Sequence, residues 1–200
     1  MTNKKTLRKQ FLQKRKLLST QALEQASLAI KNQFFHHFPI NFETLHVFLP
    51  ITKQNEINTW LIIKQLFQQY PHINIVIPKT NIQNHSLSHY FLTSNTKLMQ
   101  NQWGIDEPID AKTCPVGMID MVLIPLLCFD KQGNRVGYGK GFYDKFLAEC
   151  RTDVIKIGLS LFEPVESIND VQPHDIKLDF CITPNAVIQT NAKTSLNISC

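Results

Sequence analysis

TLHVFLP at residues 44–50, TWLIIKQLFQQ at 59–69 and INIVIP at 73–78 decide the fold. The outer two runs are short, almost continuously apolar and ended by Pro50 and Pro78, which marks strands buried on both faces. The middle run spaces its apolar residues helically, and Asn58 or Thr59 stands where a helix cap is expected. Strand, helix and doubly buried strand in that order predict a parallel βαβ unit. Working outward, MVLI at 121–124 (ended by Pro125), VIKIGL at 154–159 and a short run at 180–183 predict further core strands, and 87–92 an antiparallel or edge strand. Upstream lie two helical patterns, 3–18 and 21–37, separated by Ser19-Thr20. The expected architecture is α/β: a single three-layer domain over 1–200 with a mostly parallel central sheet and helices on both faces. It is Rossmann-like without the dinucleotide fingerprint. A basic helix at 3–18 opens it and a loosely ordered polar tail at 185–200 closes it.

With 200 residues, 43% hydrophobic and 18% charged, the chain has the composition of a soluble globular domain. The net charge of +5 is unevenly placed. Seven of the 21 basic residues fall within the first sixteen positions, no acidic residue precedes Glu24, and the rest of the chain is slightly acidic. A nucleic-acid binder would spread basic residues and stacking aromatics over a wider face, so that reading is set aside. The longest apolar stretch, Met121 to Phe129, is too short to span a bilayer, so no membrane association is expected. Five widely spaced cysteines (114, 128, 150, 181, 200) without a C-x-x-C pair point to free thiols in a reducing cytoplasm. His85 and His89 fall in a strand-and-loop region and are expected at the surface.

The chemically informative stretch is Arg135-Val136-Gly137-Tyr138-Gly139-Lys140-Gly141-Phe142-Tyr143-Asp144, which follows a buried strand and opens a helix. Ligands in α/β sheets bind at such carboxyl-end loops. Glycines admit phosphate oxygens close to backbone N–H groups, the helix start adds partial positive charge, and Arg135 and Lys140 add full charges. The spacing is neither Walker A nor the dinucleotide fingerprint.

This stretch, with Leu123-Ile124-Pro125-Leu126-Leu127-Cys128-Phe129-Asp130 before it, resembles the signature of the 5-formyltetrahydrofolate cyclo-ligase (5,10-methenyltetrahydrofolate synthetase) family. Outer motifs agree in order: Lys4-Lys5-Thr6-Leu7-Arg8 with Arg15, Phe48-Leu49-Pro50 followed by Glu56-Ile57-Asn58-Thr59, Trp103-Gly104-Ile105 with Pro108, and Asp175-Ile176-Lys177-Leu178-Asp179. The resemblance implies Mg²⁺- and ATP-dependent conversion of 5-formyltetrahydrofolate to 5,10-methenyltetrahydrofolate with release of ADP and phosphate. In that chemistry the formyl oxygen is phosphorylated and N10 closes the ring. It further implies that Lys4, Lys5, Thr6, Leu7 and Arg8 reach ATP together with Arg135, Val136, Gly137, Tyr138, Gly139, Lys140, Gly141, Phe142 and Tyr143. Arg135, Lys140 and Tyr143 would be catalytic. Ile51, Glu56 and Trp103 would meet the folate, with Leu49 nearby. Asp144 and Asp175 would hold Mg²⁺, with Asp179 a weaker alternative. Phe142 stands where the family usually has tyrosine, and adjacent Tyr143 keeps one hydroxyl; Val136 replaces the usual leucine. The expected partners are 5-formyltetrahydrofolate and ATP, and the expected state is a cytoplasmic monomer or weak homodimer. A sugar-phosphate isomerase or acyl-CoA transferase on a related layout would leave the 135–144 loop and the basic helix unexplained.

Overall fold

The computed structural model describes residues 3–191; Cys200 and the tail from residue 192 lie outside them. Four helices are α1 (Lys4–Lys16), α2 (Thr20–His37), α3 (Trp60–Gln69) and α4 (Phe142–Glu149). The strands are β1 (Thr44–Val47), β2 (Asn74–Asn81), β3 (Ser86–Leu92), β4 (Lys97–Gln100), β5 (Asp106–Ile109), β6 (Met121–Pro125), β7 (Cys128–Phe129), β8 (Arg135–Val136), β9 (Ile155–Leu159), β10 (Phe180–Ile182) and β11 (Val187–Gln189).

Seven strands form one sheet in the order β11-β10-β9-β6-β1-β2-β3. Its five inner strands are parallel, and β3 and β11 close the edges antiparallel. Alternation along the strands sorts the core into two layers. Leu45, Val47, Ile75, Ile77 and Leu123 face α2 and α3, where Phe34, Ile63 and Leu66 are fully buried. Val76, Val122 and Ile124 face the other way, onto Phe146 and Leu147 of α4. Helices on both faces of a mostly parallel sheet make the expected three-layer α/β fold. Helix α1 packs elsewhere: Leu7 and Phe11 sit on the small β7–β8 pair with Leu127, Cys128 and Val136.

The caps follow from sequence. Asn3 accepts from the Thr6 N–H at 2.8 Å and Ser19 from the Ala22 N–H at 3.1 Å, satisfying the first turns of α1 and α2. Thr59 precedes α3 but turns its hydroxyl back onto the Phe48 carbonyl at 2.6 Å, tying the helix start to the end of β1.

Three expectations need correction. The polar tail begins with a strand, since β11 pairs antiparallel with β10 and continues the sheet. Strand β2 runs past Pro78 to Asn81, because its partner β3 is antiparallel and Pro78 sits opposite His89 within that ladder. His89 is not at the surface: it is 5% exposed and faces α4, with its ring 5.1 Å from that of fully buried His46 and 4.1 Å from Phe146. His85 is exposed, as expected.

Phe34 anchors the α2 layer, so Phe34→Ala is expected to cost about 3–5 kcal/mol in urea unfolding. The paired histidines predict a pH effect. Burial, reinforced by His89, holds His46 well below the usual range, and burial pulls His89 down to about 4. Both are therefore neutral when folded, whereas the unfolded chain binds protons near pH 6.5. Their stabilising contribution is complete above that pH and is lost as pH falls toward 4, by up to about 1.4 kcal/mol per pH unit for each. The urea midpoint should drop between pH 7 and 4.5, and the drop should be shallower in His89→Leu; equal slopes would refute the assignment.

Candidate active site

The chain leaves β1 toward β2 on one side, then returns to place β6 on the other, so the strand order reverses between β1 and β6. Loops at the carboxyl ends of such strands diverge and leave a crevice. Here the crevice is a cleft of about 550 Å³. Its floor comes from Phe48, Leu49, Ile51 and Glu56 after β1 and from Pro125 at the end of β6. The 135–144 loop forms one wall, the start of α1 adds Lys4 and Arg8, and β2, β3 and the turn of the β4–β5 hairpin supply Thr80, Leu87 and Trp103.

The glycine loop takes its shape from residues without a Cβ. Gly139 has φ +85° and Gly141, which precedes α4, has φ +73°, both in the left-handed region that favours glycine. Arg8 packs across this loop. Its Nε donates to the Gly137 carbonyl at 2.9 Å, and a Cβ on Gly139 would lie 2.9 Å from its guanidinium carbon.

Charge in the cleft is partly neutralised from within. Arg135 Nη2 donates to Asp144 Oδ1 at 2.8 Å and its Nη1 donates to the Ile176 carbonyl. Lys4 pairs with Asp175. Burial pushes the Asp175 carboxyl up, but the Gln172 N–H and Lys4 outweigh it and hold the group below the usual carboxylate range. Lys140 is exposed at the rim and makes no hydrogen bond or ion pair among the described residues. The loop thus offers one uncommitted cation, beside glycine backbone suited to anionic oxygens.

Glu56 is the opposite kind of group, 5% exposed on the cleft floor. Its Oε2 accepts from the Ile51 N–H at 2.8 Å and its Oε1 accepts from the Tyr138 hydroxyl at 2.6 Å. Burial raises its pKa, while those two bonds and the charge of Arg15 oppose the rise. The Tyr143 hydroxyl is buried in the cleft wall and has no hydrogen-bond partner among the described residues.

Of the residues named from sequence, Lys4, Arg8, 135–144, Ile51, Glu56, Trp103 and Asp175 line this single cleft. The others separate. Leu7 is 1% exposed in the core beneath α1, so its side chain does not reach the cleft, and Lys5 and Thr6 face solvent outside it. The Val136 side chain packs with Leu7 and Phe11, leaving its backbone to the loop. Asp179 is buried away from the cleft on Lys156, whose backbone N–H donates to it at 2.9 Å, so it is not a metal candidate there. Tyr138, expected at ATP, lines the cleft and donates its hydroxyl to Glu56. Pro78, Thr80, Leu87 and His174 also line the cleft and carry no motif that would have marked them.

The profile of the 5-formyltetrahydrofolate cyclo-ligase family matches residues 1–184. The 5-formyltetrahydrofolate cyclo-ligase of Mus musculus is 30% identical over 188 residues, covering 88% of this chain and 91% of its own. That of Mycoplasma pneumoniae is 33% identical over 186 residues, covering 90% and 98%. A solved 5,10-methenyltetrahydrofolate synthetase from Mycoplasma pneumoniae superposes with a TM-score of 0.70 at 29% identity, over 92% of this chain and 99% of that one. The solution structure of an Aquifex aeolicus 5,10-methenyltetrahydrofolate synthetase shares the fold, with a TM-score of 0.76 at 22% identity over 97% and 96%.

Gly139→Ala is expected to strain the left-handed backbone and displace Arg8, lowering stability by about 1–2 kcal/mol. Affinity for inorganic tripolyphosphate, measured by calorimetry, should fall with it; an alanine variant with unchanged affinity would show that the loop shape is not needed for anion binding.

Proposed function

The chain belongs to the 5-formyltetrahydrofolate cyclo-ligase family, and we propose that it converts 5-formyltetrahydrofolate into 5,10-methenyltetrahydrofolate in the cleft between β1 and β6, with ATP as co-substrate. One observation carries this reading. A cationic glycine loop suited to phosphates and a buried carboxylate suited to N–H donors share one crevice. A cyclo-ligase needs both halves side by side, because the nucleotide must meet the formyl group.

A formamide oxygen is a poor leaving group, so ring closure needs activation. The formyl oxygen attacks the γ-phosphorus and the bond to the bridging oxygen breaks, releasing ADP. N10 then attacks the formyl carbon, its proton is lost, and phosphate departs as the methenyl bridge forms. The protein chiefly positions two substrates and offsets developing negative charge. Lys140, free at the rim, reaches the transferring phosphoryl group, and Arg8, seated on the glycine loop, faces the same phosphates. Arg135 acts from a fixed position, with two of its N–H groups committed to Asp144 and Ile176. Glu56 accepts N–H donors of the pterin, an acceptor-only match for an ionised carboxylate. Trp103, at 38% exposure and with its ring centroid 6.3 Å from Phe142, offers a flat face to the folate rings. The buried hydroxyl of Tyr143 lies within the electrostatic reach of Glu56 and of Arg135, between the two halves.

Asp144 and Asp175, which both line the cleft, would hold Mg²⁺, a hard ion that favours carboxylate oxygens. When bound, Mg²⁺ neutralises phosphate charge. Arg135 and Lys4 hold these carboxylates in place meanwhile.

Purified protein given 5-formyltetrahydrofolate and Mg-ATP should develop the absorbance of the methenyl product, and absence of ATP-dependent product would sink the reading. Lys140→Ala should lower kcat by about 10²-fold or more while leaving the thermal midpoint unchanged. Glu56→Gln should weaken folate binding more than ATP binding in equilibrium titrations; an unchanged folate affinity would contradict its role.

A further inference from the structure

Arg15 is the odd member of the buried stripe of α1. Leu7, Phe11 and Arg15 recur every fourth residue and all three are buried, the arginine at 4% exposure. An apolar residue would complete the stripe more simply. Buried ion pairs add little net stability over well-packed apolar groups, so stability alone does not account for a guanidinium here.

Its contacts indicate what it does. Arg15 Nη2 donates to the Tyr138 hydroxyl, which in turn donates to Glu56 Oε1 at 2.6 Å. The guanidinium also lies 5.4 Å from the Tyr138 ring centroid. The direct approach of Arg15 Nη1 to Glu56 Oε1 is only 4.0 Å, so the hydroxyl is the main link. A second tie runs through Asn55, in the left-handed conformation at φ 49°, whose Nδ2 donates to the Arg15 carbonyl at 3.1 Å. Arginine, tyrosine and glutamate come from α1, the glycine loop and the loop after β1, so one chain of bonds crosses three elements. Apolar Phe48, Ile57, Leu126 and Leu127 surround the Arg15–Glu56 pair, and a low-dielectric setting strengthens such a chain.

We propose that Arg15 is a positioning residue which, through the Tyr138 hydroxyl, fixes the aim of Glu56 and couples the glycine loop to the folate half of the cleft. The proposal rests on the reading that Glu56 meets the folate. Arg15 itself touches neither substrate, since it lies behind Glu56 and does not line the cleft. The groups that bear on Glu56 are Arg15 from α1, Tyr138 from the glycine loop and Tyr143 from α4, and Arg15 is the cation among them. Burial already favours the protonated form of Glu56, and the guanidinium opposes this. Without it, Glu56 takes up a proton at higher pH and no longer presents two acceptor oxygens.

The test is steady-state turnover across pH in wild type, Arg15→Gln and Arg15→Lys. In Arg15→Gln, KM for 5-formyltetrahydrofolate should rise about tenfold with KM for ATP nearly unchanged. The acid limb of kcat/KM should move up by about one pH unit, the equivalent of that tenfold loss. Arg15→Lys should return the limb toward the wild-type position. If Arg15→Gln does not fold, Tyr138→Phe removes the linking hydroxyl and should shift the same limb in the same direction. An unmoved limb and folate KM in the folded variant would overturn the proposal, even where stability falls. Wild-type protein without turnover would instead overturn the functional reading on which it rests.

Discussion

The parallel pairing of β1 with β6 at the centre of the sheet is the constraint on which the site depends. Leu45 lies opposite Met121 and Val47 opposite Leu123, and the chain departs from the two strands in opposite directions. The loop after β1 carries Glu56 and the segment after β6 leads to the glycine loop, so this one register sets the distance between a carboxylate and a cationic loop. The register is fixed by burial. Slipping β1 by one residue would exchange Leu45 and Val47 with His46 across the sheet and empty the α2–α3 layer of its apolar contacts.

On that frame the cleft is built from opposed charges that restrain one another. Arg135 with Asp144 and Lys4 with Asp175 are short pairs in its wall. Each pair prevents uncompensated charge within the wall. On the cleft floor Glu56 is balanced through a hydroxyl, a softer arrangement that leaves the carboxylate free to accept a further donor. The basic first helix serves both sides. Lys4 and Arg8 reach the cleft from one face, while Leu7, Phe11 and Arg15 anchor the helix from the other.

Much of this was legible in the amino-acid sequence. The strand–helix–strand unit at 44–78 was readable because a doubly buried strand must be apolar at every position. The 135–144 loop was readable because interleaved glycines and cations have few structural explanations. Less legible were groups whose role depends on who faces whom. His89 looks like any polar residue of a strand-and-loop region, and only its place opposite Pro78 and beneath α4 buries it. Leu7 belongs to a motif whose Lys4 and Arg8 reach the cleft, yet its position on the helix turns it to the core. Tyr138 reads as part of a phosphate loop, although its hydroxyl points to Glu56. The hairpin β4–β5, which brings Trp103 to the cleft, carries only a weak pattern.

The sequence by itself determined the α/β class, the order of the core elements and the family, because apolar periodicity and a long, unusual loop are local properties of the chain. The uneven charge, concentrated in the first sixteen residues, was equally plain. The tertiary structure alone decided that α1 lies against the glycine loop, that Arg135 and Lys4 are committed to carboxylates, and that Arg15 reaches Glu56 through Tyr138. Those contacts join residues far apart in the chain. They exist because packing on both faces of the sheet brings three separate segments to one crevice, and no local pattern records that meeting.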